Sequence, residues 1–174
     1  MYEAYRPYPG TTLNMSEDIL HNWQKKSASH IKEYRQFLKN KDTRTTLKRL
    51  PQLHEEAFEK IDCLQCAACC KNYSPRFKTP DIKRISKHLK MRESVFIDTY
   101  LNLDDEGDYV MKTTPCAFLG KDNACTIYSE RPSDCRRFPY TDEDVFIKRK
   151  KITEKNVTFC PIAYYVLEKL MAIK

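Results

Sequence analysis

Apolar side chains recur at helical spacing along the first third of the chain. After Ser16, a good N-cap residue, the apolar positions are three or four residues apart or twice that distance. They are Ile19, Trp23, Ile31, Tyr34 and Leu38. Lysine and arginine residues are interspersed among them, so the pattern predicts an amphipathic helix that begins at Ser16.

A second helical pattern extends from about Thr45 to Ile61. Its apolar face consists of Leu47, Leu50, Leu53, Ala57 and Ile61. Pro51 lies within this stretch and is expected to kink or restart the helix, because proline lacks the N–H that a helix interior uses. The helix leads into the first cysteine of the chain, Cys63.

Shorter elements are predicted in the middle of the chain. Thr79-Pro80-Asp81 supplies an N-cap residue, a proline for the first helical position and an acidic first turn. A short helix is therefore expected over Pro80 to Leu89, followed by another over Glu93 to Leu101. Turn residues at 102–108 then predict a β-hairpin that pairs 101–103 with 109–111.

Three further elements are predicted in the last third. A second hairpin is expected to pair 117–119 with 125–128, and residues 145–147 are expected to form a strand. Pro161 begins a final helix whose apolar face is Ile162, Val166, Leu170 and Ile173. The predicted fold class is mainly α with one or two small β-hairpins and an irregular, cysteine-stapled metal-binding core.

The predicted organisation is one compact unit with an N-terminal arm. Tyrosines and prolines alternate over residues 1–14, which favours an extended arm. The helices of residues 15–61 are expected to pack on a cysteine-cluster domain over residues 62–174. A chain of 174 residues is long enough for one such domain with its own core.

Composition favours a core that is supplemented by metal. Charged residues make up 32% of the chain, and the mean hydropathy is −0.70, so the apolar supply is modest. The formal charge of +7 falls to about +3 if eight thiolates bind two zinc ions. Nucleic-acid binding is therefore not favoured, although it has candidate residues in Lys83, Arg84, Lys87, Lys90 and the run 148–151.

The eight cysteines are the strongest chemical signal in the sequence. Four of them form the motif Cys63-x-x-Cys66-x-x-Cys69-Cys70, and the others are Cys116, Cys125, Cys135 and Cys160. The first residues contain no apolar segment of the kind a signal peptide needs, so a cytoplasmic location is expected. Thiols stay reduced there, which favours metal ligation over disulfides. No membrane partner is expected, because no apolar run reaches spanning length.

Two arrangements of the first four cysteines are open. If the segment continues the preceding helix, Cys63, Cys66 and Cys70 share one face and Cys69 points away. If the segment is a cluster-binding loop like the bacterial ferredoxin run, Cys63, Cys66 and Cys69 meet the remote pair Cys160-Pro161. The other cysteines do not have the paired spacing of a zinc ribbon, so zinc and an iron–sulfur centre both remain open.

Basic residues beside Cys135 are candidate partners of the metal-binding sulfurs. A site with several thiolates is anionic, and guanidinium groups offset that charge and donate N–H bonds to sulfur. Arg131 and Arg136 are expected to do so. His54, nine residues before Cys63, is a histidine whose distance to the cysteines is worth measuring.

The cysteine motifs together resemble a known family. They are Cys63-x-x-Cys66-x-x-Cys69-Cys70, Pro115-Cys116-Ala-Phe-Leu119, Cys125-Thr-Ile-Tyr128, Arg131-Pro132-Ser-Asp-Cys135-Arg136 and Cys160-Pro161. This series resembles the YkgJ-type cysteine-cluster family, described as a putative zinc- or iron-chelating domain. The resemblance covers residues 63 to 161 and implies that all eight cysteines bind zinc or iron.

The same cysteine signature is similar to that of flagellin lysine N-methylases, which are longer chains. That similarity adds a second hypothesis, an iron–sulfur-dependent redox or protein-modifying enzyme. A zinc-stabilised module that binds nucleic acid is the third.

Overall fold

A computed structural model describes residues 22–40 and 43–173 of the chain. The predicted arm over residues 1–14 and the predicted helix start at Ser16 lie outside the described residues. The helices, in chain order, are α1 (Trp23–Ser29), α2 (Ile31–Asn40), α3 (Thr43–Lys60), α4 (Cys63–Cys66), α5 (Ala68–Asn72), α6 (Thr79–His88), α7 (Glu93–Tyr100), α8 (Ser133–Arg137), α9 (Val145–Lys148), α10 (Lys150–Val157) and α11 (Pro161–Ala172). The strands are β1 (Leu101–Leu103) and β2 (Tyr109–Met111), and a 3₁₀ turn covers Tyr128–Glu130. The predicted fold class, mainly α with a small antiparallel sheet, is confirmed.

The described chain divides into two compact units. The cysteine unit comprises Cys63–Phe138, and the helical unit comprises the described residues up to Asp62 together with those from Pro139 onwards. The predicted boundary between residues 61 and 62 therefore lies within one residue of a boundary between units. Residues 139–173, however, group with the N-terminal helices and not with the middle of the chain.

The helical unit is organised around α11. Most of this helix is buried on all sides, including Ile162, Tyr165 and Leu167, and it packs against α1, α3 and α10. The hydroxyl of Tyr34 on α2 donates to Glu168 of α11 at 2.5 Å. The final predicted helix is thus confirmed, and it is the most extensively buried helix in the described residues of the helical unit.

The first predicted helix is present as two helices, because the chain turns at His30. The hydroxyls of Ser27 and Ser29 donate to the carbonyls of Gln24 and Lys26, and such bonds compete with regular helix hydrogen bonding. The second predicted helix, α3, runs through Pro51 without a restart. Pro51 is exposed, so the hydrogen bond that it cannot make is lost on the solvent side.

The strand predicted over residues 145–147 is wrong, because these residues form α9. Phe146 and Ile147 are buried, and the N–H groups of Ile147 and Lys148 donate to the Asp144 carbonyl at 3.0 and 2.8 Å. A short apolar run has no periodicity of its own and therefore does not distinguish a strand from a buried helical turn.

The cysteine unit contains the predicted pair α6 and α7 followed by the β1–β2 hairpin. The register pairs Leu101 with Met111 and Leu103 with Tyr109, so the first predicted hairpin is confirmed. The core of this unit consists of Phe77, Ile82, Ile85, Phe96, Leu101, Met111, Phe118 and Ile127.

The second predicted hairpin is reduced to a single antiparallel bridge between Leu119 and Cys125. The amide of Tyr128 donates to the carbonyl of Cys125 at 3.2 Å, and this bond turns the chain into the 3₁₀ turn before a strand can extend. None of the described helices is both long enough and apolar enough to cross a membrane.

Phe96 is fully buried and has the rings of Phe77, Tyr100 and Phe118 within 5.3 to 6.3 Å of its own, centroid to centroid. We expect Phe96→Ala to lower the free energy of unfolding by about 3–5 kcal/mol, because it removes a buried aromatic side chain and leaves a cavity. Urea unfolding of the whole chain measures this. The neighbouring Val95→Ala, at a position 37% exposed, should change it by about 0.5 kcal/mol or less. Equal effects of the two variants would show that Phe96 is not a core residue.

Candidate metal centre

The four clustered cysteines lie on two short helical turns joined at Ala67. Cys63 and Cys66 begin and end α4, while Cys69 and Cys70 lie in α5. Ala67 has a φ of 44°, in the left-handed region that a side chain disfavours, and it is buried. The hypothesis of one continuous helix is therefore wrong, because the helix stops at Lys60 and breaks again at Ala67.

The loop hypothesis places Cys63, Cys66 and Cys69 together with Cys160. In the structure Cys160 belongs to the helical unit, where it is the N-cap residue of α11. That grouping stays a prediction.

Four cysteines of the cysteine unit influence one another electrostatically, and we call Cys70, Cys116, Cys125 and Cys135 the cysteine quartet. The backbone N–H of Cys116 donates to the carbonyl of Cys70 at 2.8 Å. Leu119, whose N–H donates to the Cys116 carbonyl at 3.0 Å, is bridged to Cys125. All four side chains are half-buried. The fold thus brings residues from α5, two turns and α8 into one region.

The pKa of every thiol in the quartet is raised. Burial is the main cause for Cys116, Cys125 and Cys135, and the negative charge of a Cys70 thiolate would raise the pKa of each of them further. The pKa of Cys116 rises to about 11. For Cys70 the main cause is its hydrogen bond with Cys69, followed by burial. A buried group of thiolates without a cation is unfavourable, so the quartet is protonated at neutral pH.

Backbone amides point at two of these sulfurs. The N–H of Phe118 donates to the sulfur of Cys116, and the N–H of Ile127 donates to the sulfur of Cys125. In both cases the amide belongs to the second residue after the cysteine, and in both cases it lowers the thiol pKa against the effect of burial. Hydrogen bonds of this kind stabilise metal-bound thiolates.

The adjacent cysteines Cys69 and Cys70 bring two sulfurs together. Their Sγ atoms are 3.9 Å apart. Zinc–sulfur bonds of about 2.3 Å at tetrahedral angles place two thiolates on one ion about 3.8 Å apart. This pair therefore has the separation that two ligands of a single zinc ion require.

The remaining cysteines differ in exposure. Cys63 is exposed, Cys66 is half-buried and Cys160 is buried, and none of the eight cysteines forms a disulfide. Within the described residues, no three His, Cys, Asp or Glu side chains form a group that could hold a metal ion as they lie. The structure groups the quartet and the neighbouring Cys69, and the other three cysteines stay predicted ligands.

The two arginines predicted beside the sulfurs have different environments. The charge of Arg131 lowers the pKa of Cys125 and Cys135, and its guanidinium carbon lies 3.8 Å from the centre of the Tyr128 ring. The Arg136 guanidinium instead donates to the backbone carbonyls of Arg131, at 3.0 Å, and Ser129. The charge of Arg131 favours the thiolate forms of two quartet sulfurs, whereas the hydrogen bonds of Arg136 hold the turn that carries Arg131.

Lys71 was not predicted to lie near the sulfurs, and the predicted candidate His54 lies in the helical unit. Lys71 lowers the pKa of Cys70, and its position directly after that cysteine was the available sequence signal. His54 belongs to the helical unit, where its Nδ1 lies 2.9 Å from the Thr141 hydroxyl and 3.8 Å from an Asp142 carboxylate oxygen.

The chain matches the model of a known family. The family model CxxCxxCC, described as a putative zinc- or iron-chelating domain, matches residues 62–161. This confirms the resemblance seen in the sequence and covers more than half of the chain. No curated protein and no solved structure matches significantly.

Substitution of Arg131 tests which arginine acts on the sulfurs. In the metal-free protein, Arg131→Gln should raise the pKa of Cys125 and Cys135, because a cation that favours their thiolates is removed. Alkylation rates of the individual cysteines against pH, read by mass spectrometry, give these pKa values. Arg136→Gln is the matched control and should shift them less. A larger shift for Arg136→Gln would reverse the assignment.

Proposed function

The chain belongs to the CxxCxxCC family, whose description is putative zinc- or iron-chelating domain, and from that premise we propose that it binds zinc or iron with the cysteine quartet as its principal ligand set. The observation that carries the proposal is that four half-buried thiols of one unit lie close enough for a thiolate at Cys70 to raise the pKa of Cys116, Cys125 and Cys135. A cation removes that mutual repulsion, because thiolates are its ligands.

The donor set fits the proposed metal. Four cysteine sulfurs are the usual ligands of structural zinc and of small iron–sulfur clusters. The amides of Phe118 and Ile127 and the charge of Arg131 already favour the thiolate forms that a metal needs. Because no three described side chains are in a metal-holding arrangement as they lie, uptake requires rotation of cysteine side chains.

The remaining cysteines extend the proposal to all eight. Cys69 is 3.9 Å from a quartet sulfur and is the first candidate for a further ligand. Cys63 and Cys66 lie one helical turn apart on α4, as two ligands of one centre can. We extend the ligand assignment to Cys160 as well, so that all eight cysteines are proposed ligands of zinc or iron.

The metal in this proposal is either zinc or the iron of an iron–sulfur cluster. An iron–sulfur centre would permit redox or protein-modifying chemistry, whereas zinc would stabilise the fold or present an accessible ion. We place the chain in the cytoplasm, where its thiols stay reduced. A zinc-stabilised module that binds nucleic acid would use Lys83, Lys87 and Lys90, which are exposed on or beside α6.

Metal content tests the proposal directly. Protein purified without oxygen should contain about one or two metal ions or one cluster per chain by elemental analysis, in line with eight sulfur ligands taken four at a time. A brown colour that dithionite bleaches identifies an iron–sulfur centre, and a colourless zinc protein excludes it.

The ligand assignment has its own variants. Cys70→Ser should weaken zinc affinity by more than about 100-fold, since losing a ligand exceeds the loss for an outer partner. Ser94→Ala, at an exposed position, is the control and should bind normally. Wild-type protein with no stoichiometric metal and freely titrating thiols would refute the proposal.

The pH dependence of stability should have opposite signs without and with metal. In the metal-free chain the pKa of Cys116 is about 11, above its ordinary value of about 8.5. The unfolded chain therefore loses its thiol proton first, and stability falls as the pH rises from about 8.5 to 11. In the metal-bound chain the ligating thiols are already deprotonated, so stability rises with pH up to about 8.5.

Urea midpoints of both forms between about pH 6 and 10.5 measure these slopes. Cys116→Ser should reduce the alkaline fall of the metal-free protein. Identical pH dependences of the two forms would contradict the assignment of the quartet as ligands.

A further inference from the structure

The helix that carries Cys135 is too short to be stable by itself. α8 comprises the 5 residues Ser133–Arg137, and an isolated helix shorter than about 12 residues is marginal in water. Its position must therefore come from contacts with the rest of the cysteine unit. Two buried carboxylates, those of Asp81 and Asp134, supply these contacts.

Asp81, on α6, accepts hydrogen bonds on both carboxylate oxygens from the first residue of α8. Its Oδ1 accepts from the Ser133 N–H at 3.1 Å, and its Oδ2 accepts from the Ser133 hydroxyl at 3.0 Å. The Arg84 guanidinium donates to Oδ1 at 2.9 Å, and the Lys78 amide donates to Oδ2 at 3.3 Å. Both oxygens are thus fully engaged, and two of the four bonds hold the start of α8.

Asp134 is itself the second residue of α8, and its carboxylate is held by two basic side chains. Its Oδ2 accepts from the Arg76 Nε at 2.9 Å. Its Oδ1 lies 3.2 Å from the Lys78 ammonium nitrogen, outside hydrogen-bond geometry, so that contact is electrostatic. Asp134 is the residue directly before Cys135, and its position therefore constrains the backbone from which the Cys135 side chain leaves.

The network continues to the turn that carries Arg131. Besides Asp81, the Arg84 guanidinium donates to the carbonyls of Glu130 and Arg131 at 3.3 and 3.1 Å. Arg84, itself on α6, thus bonds directly to the Arg131 turn and also to Asp81, which holds the start of α8. The cation beside the quartet and the cysteine on α8 are positioned by one set of bonds.

The burial of these carboxylates indicates a specific role. Asp81 is 2% exposed and Asp134 is 3% exposed. Taking a carboxylate out of water is costly unless its hydrogen bonds are replaced, and apolar residues often stabilise such positions as well or better. The carboxylates make directional hydrogen bonds, which apolar residues cannot make. These bonds attach Ser133 and Asp134, the two residues directly before Cys135.

We propose that Asp81 and Asp134 are positioning residues that hold Cys135 within the cysteine quartet and thereby set its metal affinity. This inference rests on the proposed function and deepens it. Neither aspartate contacts the metal in this proposal; each acts through the backbone of α8.

The first test needs no metal. In metal-free protein, Asp81→Asn should increase the alkylation rate of Cys135 by iodoacetamide by about tenfold or more, in line with loss of hydrogen bonds to a charged group. The amide keeps the size of the carboxylate but points an NH₂ group at a donor. Ser133→Ala removes only the hydroxyl bond and should give a smaller increase in a chain that folds. Asp108→Asn is the control for the same carboxylate-to-amide change within the cysteine unit, because the Asp108 side chain is 39% exposed and contacts Arg76 at 3.4 Å. Cys160 is the internal reference.

The second test is a double-mutant cycle of zinc affinity, measured by chelator competition. Asp81→Asn and Asp134→Asn should each weaken binding by about 10- to 100-fold, the usual loss for a partner of a ligand. In a Cys135→Ser background Asp81→Asn should cost little more, since its effect passes through Cys135. An additive effect would indicate general destabilisation and overturn the inference.

The outcomes separate the two proposals. If wild-type protein binds zinc and the aspartate variants bind it equally well, the positioning role is wrong and the proposed function stands. If wild-type protein binds neither zinc nor iron, the proposed function is wrong and the effect on metal affinity with it. In that case unchanged Cys135 alkylation in Asp81→Asn would also refute the attachment, and faster alkylation would support it.

Discussion

Repulsion among neighbouring thiolates is the constraint on which the cysteine unit depends. Burial favours neutral thiols at Cys116, Cys125 and Cys135, and a thiolate at Cys70 would favour them further. The amides of Phe118 and Ile127 and the guanidinium of Arg131 act in the opposite direction. The balance leaves protonated thiols whose surroundings already suit thiolates, and a cation is the component that converts one form into the other.

The two units are stabilised in different ways. In the helical unit α11 is long and almost entirely buried, and α1, α3 and α10 surround it. The cysteine unit has an eight-residue apolar core and several elements of 3 to 5 residues. Elements that short depend on contacts outside themselves. We therefore expect that metal binding by the sulfurs stabilises the cysteine unit more than its apolar core does by itself.

Elements with strong local signals could be predicted from the sequence. Pro80 and Asp81 marked the start of α6, and the turn residues 102–108 fixed the β1–β2 register. The break at His30 and the left-handed Ala67 could not be predicted, because hydroxyl bonds within a turn and the backbone angle of one alanine leave no trace in hydrophobic periodicity. Residues 145–147 were assigned to a strand because three apolar residues carry no period.

The candidate site, like the fold, could be predicted only in part from the sequence. Residue type and spacing identify all eight cysteines as candidate ligands, but their grouping depends on how α5, two turns and α8 meet, which is tertiary information. Sequence adjacency to Cys135 favoured Arg136 as the partner of the sulfurs, yet it is the charge of Arg131 that lowers the pKa of Cys135, and the Arg136 guanidinium donates to a backbone carbonyl. Asp81 belongs to no cysteine motif, and its sequence signal was that of a helix start. Its carboxylate serves α6 through the Lys78 amide and α8 through Ser133, so one residue links a locally specified helix to the cysteine that the local sequence could not place.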